Sequence, residues 1–273
     1  MSYPARHAFN LREELGISNG KPIGEIIDLI VNACKYNYEE ESFGNAFSAY
    51  TQSLGNNEYL ICFNTDHDWG EPFKRFTLSH ELGHLSIPEH RNILENQKPH
   101  RSKSEYSSND PIEKEADIFA INFLAPNASF SKIAGMKIFS PDDISTISEH
   151  FGISRYAGAR RFLELTDLCC TMMVCDEHGR VEYEIRSDSM KQSYRHSYIY
   201  DVIAPETALL HDWLSGNQTV NTAQISLNDW LPGLPLQIGA SESIIKLNYN
   251  KKYLVLITPD ISDISTLVAE EDF

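Results

Sequence analysis

The sequence predicts an α+β protein whose helices are concentrated in the first part of the chain and whose strands dominate the last part. Between Ile23 and Cys34 the apolar residues recur at helical spacing. A second long apolar segment follows Pro111, a residue type favoured at the first position of a helix. Beyond residue 170, pairs of short apolar runs are separated by turn-forming residues, as in β-hairpins. We therefore expect a mainly helical domain with a small sheet, followed by a β-rich domain.

The first elements are predicted from residue 23 onward. Residues 23–34 form a helix, and a polar stretch at 35–41 follows it. The apolar run at 58–64 lies between two turn-forming segments and is predicted to be a strand. Residues 74–86 are predicted to form a helix that Pro88 closes. Because residues 91–109 are polar, we expect a surface loop there.

A second strong helix is predicted to begin at Pro111, with Asp110 as its N-cap, and to stop before Pro126. Two further helices are expected at 141–150 and 154–166. They are joined by a short segment that contains a glycine, as in a helix-turn-helix. The composition changes after these helices, so we place a domain boundary near residue 167. The predicted domains are residues 1–167 and 168–273.

The second domain is predicted to contain two hairpins. The first pairs residues 171–175 with 181–186, and the second pairs 243–248 with 252–258. The acidic tail after Pro259 is predicted to be disordered. Several aromatic residues could line a ligand pocket, but core packing is the expectation we favour: they are Tyr194, Tyr198, Tyr200, Trp213 and Trp230.

Composition excludes several classes of function. The 273 residues include 23 Lys and Arg against 39 Asp and Glu, a formal net charge of -16. Such a surface repels phosphate backbones and argues against direct nucleic-acid binding, whereas a basic protein partner fits it. The five cysteines have no zinc-knuckle or redox spacing and are predicted to be reduced. No signal peptide and no apolar run of about 18 residues is present, so we expect a cytoplasmic protein without a membrane span.

The strongest chemical signal is His80-Glu81-Leu82-Gly83-His84. Helix residues four apart project from one face, so both imidazoles can bind one ion. Neutral imidazoles suit Zn2+, which lowers the pKa of bound water to about 7, and Glu81 can then act as the catalytic general base. The surrounding helix is apolar. Gly83 costs about 1 kcal/mol relative to alanine, which indicates that another segment approaches closely.

A third metal ligand is needed, and three residues are candidates. His90 lies ten positions after His80, but a ligand at that spacing requires a glycine turn where this chain has Ile87. Glu113 would complete a His-His-Glu set of the thermolysin type. Glu115 is a further candidate. Residue chemistry favours Glu113 and leaves Glu115 and His90 open.

The context of Glu113 supports both a functional and a structural interpretation. Asp117 lies one helical turn later on the same face and could fix the tautomer of a ligand histidine. Glu113 also stands three residues after Asp110, which is the spacing of a capping box.

Two motifs together resemble the ImmA/IrrE family of zinc metallopeptidases. The first runs from Arg75 to His84, and the second from Glu113 to Pro126, with the pattern E-x-x-A-D-x-F-A-x-x-F-L-A-P. The family's second motif usually has asparagine where this chain has Asp117, and methionine where it has Ala125. The resemblance covers residues 20–165. It implies that Glu113 is the ligand, ahead of Glu115 and His90.

The resemblance also implies a fold, a reaction and a partner. The fold is a zincin-like metallopeptidase domain with helix-turn-helix-like helices at 141–166. Some members then carry a GAF-like sensor domain, and residues 168–273 stand in that place. Family members typically belong to mobile elements or stress-response systems and cleave a helix-turn-helix transcriptional repressor. We therefore expect a cytoplasmic Zn2+-dependent endopeptidase that acts on such a protein.

A different class of function is a zinc-containing regulator that binds a protein or a ligand without cutting it. Glu81 argues against this alternative, because a structural metal site needs no general base there. A third class is a DNA-binding regulator that uses residues 144–165 through Arg155, Arg160 and Arg161. Neighbouring acidic residues nearly cancel the charge of these arginines, so packing is the favoured role of that segment.

Two further expectations concern how a substrate would bind near the metal and how its transition state would be stabilised. The strand at 58–64 could be an edge strand that pairs with an extended substrate, with Asn64 at the mouth of the site. It could equally be a core strand in which Asn64 opens a turn. A transition-state oxyanion would need a donor besides zinc. Tyr106, His90 and His100 are candidates, and the sequence does not choose among them.

Overall fold

A computed structural model describes residues 1–18, 20–44, 46–66, 69–96, 100–102, 110–127, 130, 139–194, 199, 202–232, 234, 237–247 and 251–260. The chain divides into two compact units. The first contains residues 1–132 and 149–154, and the second contains 133–148 and 155–273. The boundary near residue 167 stays a prediction, because the helices before it are shared between the two units.

The N-terminal unit begins with helix α1, Tyr3–Glu14, which has a proline in its first turn. This helix was not predicted. Arg12 is fully buried on it, and the guanidinium donates to the carbonyl oxygens of Phe123, Ser18 and Lys21. Helix α2, Ile26–Asp28, continues as a π-helical turn, Leu29–Ala33, so the helix predicted for 23–34 is present in a shorter form.

A small mixed sheet follows, in the order β1-β3-β2-β4. Its strands are β1, Asn37–Glu41; β2, Ala49–Gly55; β3, Glu58–Asn64; and β4, His100–Ser102. β1 pairs in parallel with β3, and β2 pairs in antiparallel fashion with both β3 and β4. The strand predicted at 58–64 is confirmed. Its interpretation as an edge strand is wrong, because β3 lies between β1 and β2.

Three helices carry or support the two sequence motifs: α3, Glu71–Ser86; α4, Pro88–Asn96; and α5, Pro111–Leu124. The helices predicted at 74–86 and after Asp110 are confirmed. The surface loop predicted for 91–109 is wrong at 91–96, which is helical, and at 100–102, which is β4. α4 is polar overall but buries His90 and Leu94, and this tertiary contact outweighs the polar composition of the segment.

Two helices correspond to the predicted helix-turn-helix-like pair. They are α6, Pro141–Phe151, and α7, Arg155–Leu165. Gly152 joins them with a φ of 63°, a conformation that favours glycine. In α7, Arg160 and Arg161 both contact the carboxylate of Glu164, at 3.3 and 3.0 Å.

The C-terminal unit contains an antiparallel sheet in the order β6-β5-β9-β8-β7. The elements are β5, Thr171–Cys175; β6, Val181–Arg186; α8, Asp188–Ser193; α9, Leu209–Leu214; β7, Thr222–Ser226; α10, Leu227–Trp230; β8, Gly239–Lys246; and β9, Tyr253–Pro259. β5 pairs with β6, and β8 with β9, so both predicted hairpin pairings are confirmed. The β-rich character of this region is therefore confirmed.

The aromatic residues of this unit serve the core where the structure describes them. Trp230 and Tyr194 are almost fully buried in the apolar cluster, and Trp213 packs against it. Tyr198, Tyr200, the turn at 248–250 and the tail after residue 260 lie outside the described residues. The five cysteines are free thiols. Among the described helices, none is both long enough and apolar enough to cross a bilayer.

Candidate metal centre

The His-Glu-x-x-His segment lies in the buried part of α3. Every residue of α3 from Arg75 to Leu85 is buried, so His80, Glu81 and His84 do not form a solvated polar face. Gly83 lies where α3 meets α5. A Cβ at this position would come within 3.1 to 3.2 Å of the side chain of Phe119. The glycine therefore permits the close approach of a second segment that the sequence predicted.

His80, His84 and Glu113 form a compact group of possible ligands. The Nε2 atoms of the two histidines are 3.0 Å apart. Glu113 places Oε2 at 3.5 Å from Nε2 of His80, and Oε1 at 3.3 Å from Nε2 of His84. All three residues are buried, and among the described residues they form the group of donors able to hold a metal ion.

These separations fit one small metal ion. Zinc binds nitrogen and oxygen ligands at about 2.0 to 2.1 Å, and at the tetrahedral angle this places neighbouring ligand atoms about 3.3 Å apart. The observed separations of 3.0 to 3.5 Å bracket that value. Two imidazoles and one carboxylate are also the ligand types that zinc prefers. The side chains therefore fit a zinc ion without rearrangement of the backbone.

Helix α5 supplies the third member of the group. Asp110 caps the helix, because its side chain accepts a hydrogen bond from the backbone N–H of Ile112 at 3.0 Å. Glu113, in the first turn, directs its carboxylate to the two histidines. One turn later, Asp117 places Oδ1 at 2.8 Å from Nδ1 of His80. A carboxylate can only accept, so Nδ1 donates and the ring presents Nε2 to the ligand group.

Negative charge converges on His80. Burial of the ring opposes its protonation, but the hydrogen bonds to Asp117 and Glu113 and the charge of Glu81 outweigh this effect. They raise the pKa of His80 to about 10. Three carboxylates around one buried imidazole therefore attract a cation. A proton occupies this role when the ligand group holds no metal.

The two competing ligand candidates contact each other. Nε2 of His90, on α4, lies 3.0 Å from Oε2 of Glu115 on α5. The side chain of Glu115 is 42% exposed, whereas the ligand group is buried. His90 is buried, and its ring centroid is 5.1 Å from that of His84. His90 therefore packs against the ring of His84, and neither His90 nor Glu115 belongs to the group of possible metal ligands.

Sequence reasoning missed one residue at the centre, Thr51 on β2. Its hydroxyl donates to Oε2 of Glu81 at 2.5 Å, and both side chains are fully buried. The strand 49–55 was not predicted. The only sequence signal for Thr51 would have been a threonine at an inward position of that strand.

The remaining sequence candidates lie elsewhere or serve the fold. Asn64 is buried, and its amide accepts from the backbone N–H groups of Phe43 and Asp66 and donates to the carbonyl oxygens of Gly44 and Phe47. The interpretation of Asn64 as a turn-forming core residue is therefore the correct one. His100 pairs with Thr51 in the register of β2 and β4, and Tyr106 lies outside the described residues.

The arrangement is typical of metallopeptidase domains. One helix of an α+β domain carries two histidines and a buried candidate for the general base, and a second helix carries a glutamate. Residues 41–163 match the family model Peptidase_M78, the IrrE N-terminal-like domain. This match confirms the predicted ImmA/IrrE resemblance over that part of the chain. The match includes the helices that carry the ligand group as well as α6 and most of α7.

A solved structure extends the comparison to the whole chain. A Mycobacterium tuberculosis transcriptional regulator is similar with a TM-score of 0.57 and 12% sequence identity, covering 99% of this chain and 80% of that one. At this identity the likeness shows the fold alone. No curated protein matches the chain by sequence.

Proposed function

We propose that this protein is a cytoplasmic zinc-dependent endopeptidase with His80, His84 and Glu113 as metal ligands. The observation that carries this proposal is the buried triangle of three donor atoms, 3.0 to 3.5 Å apart, next to a buried carboxylate on the same helix. A structural metal site needs no base beside its ligands. The match of residues 41–163 to a peptidase family model supports the same reaction.

The zinc ion would supply a Lewis acid that lowers the pKa of water to about 7 and polarises a peptide carbonyl group. Asp117 holds the tautomer of His80 through Nδ1. Glu81 acts as general base and takes a proton from the attacking water. The water oxygen bonds to the carbonyl carbon, the peptide C–N bond breaks, and the proton passes from Glu81 to the amine nitrogen that leaves.

The substrate we propose is a helix-turn-helix transcriptional repressor, whose cleavage would release stress-response or mobile-element genes. This substrate class is supported by the family resemblance. The net charge of -16 suits a basic partner such as a DNA-binding protein. In α7, the pairing of Arg160 and Arg161 with Glu164 reduces the positive charge available for DNA and supports a packing role for these helices.

The ligand assignment is tested by measuring zinc per chain in wild type, Glu113→Gln and Glu115→Gln. The two variants make the same change two residues apart on α5. We expect about one zinc ion per wild-type chain, loss of zinc in Glu113→Gln, and retention in Glu115→Gln. Equal zinc in all three proteins would contradict Glu113 as a ligand.

The reaction is tested with a proteome-derived peptide library incubated with zinc-loaded wild type and zinc-loaded Glu81→Gln, with new termini read by mass spectrometry. We expect cleavage by the wild type and a loss of at least about a hundredfold in the variant. Equal action of both proteins would favour the non-catalytic regulator. Labelling of new N-termini in cells that express either protein then tests the repressor as substrate.

A further inference from the structure

We propose that Thr51 is a positioning residue that aims the carboxylate of Glu81, an inference that rests on the proposed base role of Glu81. The hydroxyl of Thr51 lies 2.5 Å from Oε2 of Glu81. A carboxylate can only accept, so the threonine donates the proton. Hydrogen bonds from a hydroxyl to an ionised oxygen are short and about twice as strong as neutral ones.

The sheet fixes the direction of this hydroxyl. Thr51 pairs with Ile61 of β3 on one side and with His100 of β4 on the other, so its backbone is held from both edges. Threonine is branched at Cβ, which restricts rotation about χ1. Ala49 and Thr51 are fully buried, while Tyr50 and Gln52 are only partly so. The alternation places Thr51 on the face of β2 that contacts α3.

The contact restricts how the carboxylate of Glu81 can turn. The terminal torsion of a glutamate is broad when nothing holds it. A hydrogen bond to Oε2 restricts that rotation and so sets the direction in which the carboxylate faces the attacking water. Catalytic groups need positions defined to about 0.5 Å, and neighbouring residues must supply that restraint. Thr51 supplies this restraint from strand β2 to a carboxylate that helix α3 carries.

A purely structural role would also place a donor beside a buried carboxylate. A structural role and a positioning role of Thr51 predict different affinities for a probe that binds the zinc site, when the zinc content and the stability of the variant are unchanged. Thr77 provides a matched control. It is also fully buried, it lies one turn before Glu81 on α3, and its hydroxyl has no hydrogen-bond partner within the described part of the chain. Thr77→Val makes the same chemical change without removing the hydrogen bond between Thr51 and Glu81.

The experiment uses acetohydroxamic acid as a probe of the zinc-loaded protein. A hydroxamic acid binds zinc through its two oxygens and gives up a proton, which a neighbouring carboxylate base receives. Its dissociation constant is measured by calorimetry for wild type, Thr51→Val, Thr51→Ser, Thr77→Val and Glu81→Gln. Zinc per chain and the melting temperature are recorded for each. If Thr51→Val does not fold, Thr51→Ala is judged by the same thresholds.

We expect Thr51→Val to bind the probe at least about tenfold more weakly with zinc retained, as is typical when a supporting hydrogen bond at a metal site is removed. Thr51→Ser keeps the hydroxyl and should stay within about threefold of wild type, and Thr77→Val should match wild type. Wild-type binding by Thr51→Val, while Glu81→Gln is weakened, would overturn the role of Thr51 alone. Equal weakening of Thr51→Val, Thr51→Ser and Thr77→Val would also overturn it, because the hydroxyl would then not matter.

An unchanged affinity in Glu81→Gln would have a different meaning. It would show that Glu81 takes no part in receiving the proton, so the proposed base role would fail and the role of Thr51 would fail with it. The two failures are therefore distinguishable within one set of five proteins.

Discussion

Removal of the Asp117 carboxylate should weaken zinc binding while the three ligands remain in place. Oδ1 of Asp117 lies 2.8 Å from Nδ1 of His80, whose side chain is 1% exposed. Hydrogen bonds that involve a charged group contribute about 1.5 to 3 kcal/mol. At about 1.4 kcal/mol per factor of ten, Asp117→Ala should weaken zinc binding by about 10- to 150-fold.

The exposure of Asp117 narrows this range. Its side chain is 14% exposed, so water can partly replace the lost carboxylate in the alanine variant. We therefore expect the lower part of the range, about 10- to 30-fold. Asp117→Asn keeps an acceptor oxygen and loses the charge, and should weaken zinc binding by less than about tenfold.

The assay is competition for zinc between each protein and a chromogenic chelator at neutral pH. The melting temperature of each metal-free protein is measured in parallel, so that a change in affinity is separated from a change in folding. Wild-type affinity in Asp117→Ala would refute the assigned role of the His80 contact. An Asp117→Asn protein weaker than Asp117→Ala would refute the argument that the acceptor oxygen matters.

Three further predictions follow from the same geometry. Gly83→Ala places a methyl group within 3.1 to 3.2 Å of the Phe119 side chain. Overpacking costs about 1 to 3 kcal/mol, whereas the higher helix propensity of alanine contributes about 1 kcal/mol of stability. Urea unfolding should therefore show a lower free energy of unfolding, and zinc binding should weaken. Unchanged values for both would contradict the tight contact. In metal-free protein the raised pKa of His80 stabilises the fold fully below about pH 6.5, and this contribution is lost as the pH rises through about 10. Melting temperatures of metal-free wild type and His80→Gln should therefore converge across that window, and parallel curves would oppose the shift. Arg12→Met removes three hydrogen bonds from a buried guanidinium and should lower the free energy of unfolding by about 3 kcal/mol, whereas Arg6→Met, on the exposed side of α1, should change it by less than about 0.5.

The sequence was most informative where local signals agreed with each other. Asp110 and Pro111 specify the start of a helix, and the structure begins α5 at that point. The spacing of His80 and His84 places both on one helical face, and the structure brings their Nε2 atoms together. These features depend on neighbouring residues, so they could be predicted without knowledge of the fold.

The errors arose where distant residues decide the structure. Strand β1 was not predicted, because Asn37–Glu41 contains three consecutive glutamates and pairs only through the hydrogen-bonding edge that β3 provides. The sequence left the edge and core positions of β3 equally open for the same reason, since strand order depends on all four strands. Thr51 could not be selected from sequence, because its partner Glu81 is 30 residues away and no motif links them.

The first 40 residues lie outside the family match, but they contact the helices that carry the ligand group. Arg75 of α3 donates to the carbonyl oxygens of Ile23 and Gly24, and Arg12 donates to that of Phe123 at the end of α5. A shortened protein that starts at residue 41 would lack Arg12, and it would leave the guanidinium of Arg75 without its two carbonyl acceptors. The part of the chain that matches the family model therefore begins later than the compact unit that holds the ligand group. Loss of activity after such trimming would therefore reflect lost structural support for α3 and α5, and it would not test the chemistry of the metal centre.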